Sequence, residues 1–129
     1  MTGSYVFVGE KRSNKAQQMG VTWESGRLSA CTLHEALRSA GIEPLEQTYV
    51  NLWDDNGSIN YATLSLAARA ADHGLTVVGL GQKVQRILVR AGIAHIPLIH
   101  PAARGTIRRK SAYHAHVAER LNCRSSVAA

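Results

Sequence analysis

Two short segments place titratable side chains where chemistry can happen. The first is Val6-Phe7-Val8-Gly9-Glu10-Lys11-Arg12 and the second is Ile99-His100-Pro101-Ala102-Ala103-Arg104-Gly105. Each opens with an apolar, β-prone run and delivers its titratable residue as the run gives way to loop. Ligands of open α/β sheets bind in the crevice beyond the carboxyl ends of the strands, so a carboxylate and an imidazole there can face one pocket. Glu10 then stabilises positive charge or orients water, and His100 donates or accepts a hydrogen bond. The blander reading of Glu10 is a surface ion pair with Lys11 or Arg12, which contributes little. His100 is set apart from the chain's other histidines by Pro101, which restricts the backbone, and by the basic residues that follow.

Two further side chains suit a planar, hydrogen-bonding ligand. Asn51 interrupts the apolar run Tyr49-Val50-Asn51-Leu52-Trp53, where an amide is costly to bury without partners. It offers the donor and acceptor needed to read a nucleobase edge. Trp23 stands in a long polar segment of a chain with only two Trp, four Tyr and one Phe, so it is either a stacking platform or a hydrophobic plug.

The elements that must hold these residues can be read from periodicity. Runs at 5–8, 48–53, 75–80 and 95–99 are rich in Val, Ile and Tyr without clean polar alternation, as expected of strands buried on both faces of a parallel sheet. Between them, Leu33, Ala36, Leu37 and Ala40 form a helical stripe, with a Thr32–Glu35 capping box at its start and Gly41 at its end. Leu64, Ala67, Ala68 and Ala71 make a second stripe, ending before Gly74. Val84, Ile87, Leu88 and Ala91 make a third, before Gly92, and Tyr113, Val117 and Leu121 a fourth. The alternation predicts an α/β fold: a three-layer α/β/α sandwich around a four-stranded, mostly parallel sheet with right-handed crossovers. Residues 1–122 are expected to form one domain and 123–129 a flexible tail. Segments 10–27, 54–60 and 101–105 read as loops, the first long enough to suggest a functional role.

Composition limits the function classes. A chain of 129 residues supports one core, and 15 Lys and Arg against nine Asp and Glu give a formal net charge of +6, which favours a polyanionic partner. Arg104, Arg108, Arg109 and Lys110 crowd behind His100-Pro101, so they are the candidate phosphate contacts. Cys31 and Cys123 lie far apart without a CxxC pair, which argues against an iron-sulfur cluster, a structural zinc or a disulfide framework. His114 and His116, two apart on a helix, make a poor metal pair, and His34 and His73 read as surface histidines. No metal or other cofactor is expected. No run approaches the roughly 18 apolar residues of a membrane span, and Met1-Thr2-Gly3-Ser4 is no signal peptide, so a soluble cytoplasmic protein is expected. Gly79-Leu80-Gly81 is not a dinucleotide turn, because Val84 stands where GxGxxG needs its third glycine, and there is no Walker phosphate loop.

In order along the chain, Gly9-Glu10, Gly20-Val21-Thr22-Trp23, Val50-Asn51-Leu52 and His100-Pro101-Ala102 resemble the motifs of the uracil-DNA glycosylase superfamily. The resemblance implies that Trp23 stacks on a flipped base, Asn51 bonds its edge, His100 donates to the O2 of the departing base and Glu10 stabilises the sugar cation or positions water. Residues 102–105 then press on the DNA while Arg104, Arg108, Arg109 and Lys110 hold phosphates, contacts that position the nucleic acid without specifying a base. Two departures stand out: Lys11-Arg12 replaces the usual Pro and small or aromatic residue, and Ala102 replaces Ser. The expected function is a DNA glycosylase, a hydrolase of DNA repair, cleaving uracil or another altered base from single- or double-stranded DNA. The alternatives are a non-catalytic protein of the same fold that binds DNA or a modified base, and an enzyme acting on free nucleotides.

Overall fold

The computed structural model describes residues 4–11, 14–20, 22–23, 29–101 and 110–128. Four strands, β1 (Tyr5–Gly9), β2 (Thr48–Asn51), β3 (Thr76–Leu80) and β4 (Ile96–Leu98), form one sheet in the order β2-β1-β3-β4, and every pair is parallel. Helices α1 (Asn14–Met19), α2 (Ser29–Ser39), α3 (Tyr61–Asp72), α4 (Gln82–Arg90) and α5 (Lys110–Ala128) connect or flank them.

Successive strand residues point to opposite faces, and both faces are buried. Tyr5 and Phe7 face the layer made by α2 and α5, where they pack with Leu33, Leu37, Tyr113, Val117 and Leu121. Val6 and Val8 face α3 and α4, where they pack with Ala67, Ala70, Val84 and Leu88. The two cores define the expected α/β/α sandwich, with an all-parallel sheet at its centre. Among the described residues, no helix is long and apolar enough to cross a membrane.

Local expectations fail at four places. The segment expected as a loop at 10–27 contains α1. Helix α2 begins at Ser29, so Thr32 and Glu35 lie inside it and form no capping box at its start. The second strand ends at Asn51: Leu52 N donates the last inter-strand bond, to Gly9 O at 2.8 Å, and Trp53 instead bridges Ile59. His34 is 3% exposed and packs its ring 5.5 Å from Tyr49, because its position on α2 faces the sheet.

Candidate functional site

The sheet order creates one natural crevice. From β1 the chain moves to β2 on one side, then crosses to β3 on the other, so the carboxyl ends of β1 and β3 diverge into separate connections. Glu10 follows β1 and Gly81 follows β3. Gly81 is buried, with φ +92° and ψ 159°, backbone that is essentially restricted to glycine. It is also where the two strand-end residues meet. A Cβ placed on Gly81 would lie 3.2 Å from Glu10 Oε2 and 3.4 Å from His100 Cβ. The neighbouring strand is stitched to the same point, because Leu98 O accepts from Gly81 N at 3.0 Å and from Gln85 Nε2 at 2.9 Å. Glu10, Gly81 and His100 therefore line one open cleft of about 470 Å³, together with Lys83, His116 and Arg120.

Burial lowers the pKa of His100 from its ordinary value, and the Glu10 carboxylate partly offsets that shift. The imidazole is thus neutral at neutral pH. A neutral imidazole can donate one hydrogen bond to a developing anion without bringing its own positive charge into the site.

Trp23 connects this pair to Asn51. Its indole lies against Gly9, so closely that a Cβ there would come within 2.8 Å of Nε1. Nε1 donates to Asn51 Oδ1 at 2.7 Å. The ring stands 6.0 Å from His100 in an edge-on arrangement and stacks on Tyr49 at 6.5 Å. All four predicted residues therefore form one chain of contacts: Glu10, His100, Trp23, Asn51. Their geometry departs from the expectation in one respect. Asn51 Oδ1 already accepts from Trp23, which leaves its amide nitrogen and one oxygen lone pair for a ligand, and it lines a neighbouring cleft with Trp53, Asp54, Asp55, Asn60 and Thr63. That cleft is held by α3, whose N-cap Asn60 accepts from Thr63 N at 3.1 Å while Thr63 Oγ1 donates to Asn51 O at 2.9 Å.

Of the predicted phosphate contacts, Arg104, Arg108 and Arg109 lie outside the described residues, and Lys110 is described only as the first residue of α5. The cations that line the cleft among the described residues, Lys83 and Arg120, were not anticipated. Lys83 is the second residue of the helix that follows Gly81, a position beside any ligand at a strand end, and that much was legible. His116 was also missed, because its neighbour His114 invited comparison with metal pairs. Among the described residues, no three His, Cys, Asp or Glu side chains converge on a metal position. Compared with protein-family models and with curated proteins, the chain has no match.

Proposed function

We propose that the chain hydrolyses the N-glycosidic bond of uracil or another altered base in DNA. The observation that carries this reading is the meeting of the Glu10 carboxylate and the neutral His100 imidazole over Gly81, at the sheet's switch point. In the proposed reaction the bond between C1′ and the base nitrogen breaks and its electron pair leaves with the base. His100 donates a hydrogen bond to the O2 that gains charge, and Glu10 faces the positive sugar. Water then adds to C1′ and releases its proton. Both charges develop in a site partly shielded from water, where fixed groups act more strongly than they do in solution. Reaching the cleft requires the nucleotide to leave the base stack, at a cost of a few kcal/mol. The motif order resembling the uracil-DNA glycosylase superfamily supports the same reading.

The test uses end-labelled single- and double-stranded oligomers carrying one uracil, incubated with the protein and then treated with alkali. Strand scission that disappears in His100→Ala supports the proposal. Binding of the oligomers without scission replaces it with a role in DNA or base binding, and turnover of free deoxynucleotides alone replaces it with a nucleotide enzyme.

The net charge of +6, with Lys83 and Arg120 on the cleft, supports a phosphate-bearing substrate. Arg120→Ala should weaken binding to uracil-free oligomers of different sequence by similar factors. It should also reduce the slope of log affinity against log salt by about 1. Fluorescence anisotropy across a salt series measures both, and an unchanged slope removes Arg120 from the interface.

A further inference from the structure

His100 follows a three-residue edge strand, and the residue between them, Ile99, belongs to neither buried core and is 39% exposed. Its backbone is held instead. Ile99 N donates to His116 Nε2 at 3.0 Å, and Ile99 O accepts from Tyr113 Oη at 2.8 Å. Both polar groups of one peptide residue are taken by side chains one turn apart on α5. Tyr113 is 1% exposed and sits in the core layer with Val117 and Leu121, so the helix that grips Ile99 is itself fixed against the sheet.

We propose that Tyr113 and His116 are positioning residues that clamp Ile99 and thereby set the place of His100 opposite Glu10. The clamp rests on the glycosidase reading only for its effect on turnover. Its hydrogen bonds impose a protonation requirement. To accept from Ile99 N, His116 must be neutral with its proton on Nδ1, and protonation at Nε2 sets a donor against a donor. Among the described residues, the charged and titratable groups around it are Arg120 and Glu119 on α5, with Lys83, Glu10 and His100 lining the same cleft. Burial and Arg120 lower the His116 pKa, Glu119 opposes them, and the net direction keeps the acceptor available at neutral pH. Because the folded pKa is depressed, the clamp is complete above the ordinary histidine value and is released as pH falls through the lowered one. Burial also raises the Tyr113 hydroxyl pKa, which keeps it a donor throughout.

The test measures amide hydrogen exchange at Ile99 and the NMR signal of the His100 ring, alongside turnover of the uracil oligomer. His116→Ala should speed Ile99 exchange about tenfold, because His116 is that amide's partner among the described residues. His116→Gln restores an acceptor at the Nε2 position without a titrating group, so it should keep the protection and make it independent of pH between about 5 and 8. In His116→Ala and in Tyr113→Phe the His100 signal should shift and kcat should fall about tenfold with little change in KM, as expected when a reacting group is misplaced rather than removed. Unchanged Ile99 exchange in His116→Ala overturns the clamp. Faster exchange with an unmoved His100 signal overturns its positioning role. Absence of scission by the parent protein counts against the glycosidase reading alone, because the exchange and ring signals still decide the clamp.

Discussion

Glu10→Gln should lower turnover of a uracil-containing oligomer by about 10²- to 10³-fold, the range seen when one preorganised electrostatic partner of a transition state is removed. The fold should survive, since Glu10 lies beyond the end of β1 and belongs to neither core. The same substitution has a second consequence that needs no substrate. In the parent protein, burial lowers the His100 pKa and the Glu10 carboxylate raises it in part. Removing the negative charge leaves burial unopposed, so His100 should titrate at lower pH in Glu10→Gln than in the parent. The sign follows from the charged form: imidazolium is stabilised by a nearby carboxylate and loses that partner when the carboxylate becomes an amide. In either protein the neutral imidazole is present above the folded pKa and is lost as pH falls through it. Hydrogen-donating activity that depends on it therefore extends below pH about 6.5, the ordinary value for histidine. An NMR titration of the His100 ring in the two proteins measures the shift. An unmoved midpoint would mean that Glu10 is the surface ion-pair residue of the simpler reading, and equal turnover would remove it from the reaction.

What the sequence made legible was what local pattern controls. Residues 5–8 alternate between two apolar cores, and Tyr113, Val117 and Leu121 recur at helical spacing, so the layers and the strand ends bearing Glu10 and His100 could be placed from periodicity alone. Errors appeared where local chemistry competes. Thr32 and Glu35 satisfy a capping-box pattern, yet α2 starts three residues earlier because Ala30 joins the buried face. His34 looked like a surface residue because its polarity outweighed its place beside Leu33, whereas in the fold Tyr49 receives its ring. The partnerships that shape the site were beyond reach. Trp23 and Asn51 are 28 residues apart and Ile99 and His116 are 17 apart, and nothing in either neighbourhood encodes the other. Tyr113 was legible as core but not as a donor, since periodicity reports which face a side chain takes and not where its hydroxyl ends.

The strongest test of the site's geometry is a single methyl group. Gly81→Ala should destabilise the fold by about 1–3 kcal/mol, because φ +92° with ψ 159° is a region that residues bearing a Cβ scarcely populate. Strain is only part of the expectation. The new methyl would stand 3.2 Å from Glu10 Oε2 and 3.4 Å from His100 Cβ, closer than ordinary contact on the carboxylate side, so the Glu10 carboxylate must give by a few tenths of an ångström. Turnover should then fall by about tenfold, less than in Glu10→Gln because the carboxylate is displaced rather than removed, and the His100 titration should move in the same downward direction. Gly92→Ala provides the control. Gly92 has φ +70° and nothing within 4 Å of its Cβ position, so that variant carries left-handed strain of about 1–2 kcal/mol without intruding on any side chain. Chemical denaturation of both variants separates strain from intrusion, and His100 titrations then read the intrusion alone. If Gly81→Ala loses stability like Gly92→Ala but keeps the parent's His100 midpoint and turnover, Glu10 and His100 do not act across Gly81. A downward shift seen only in Gly81→Ala ties the glycine at the switch point to the electrostatic pairing of the two residues it separates.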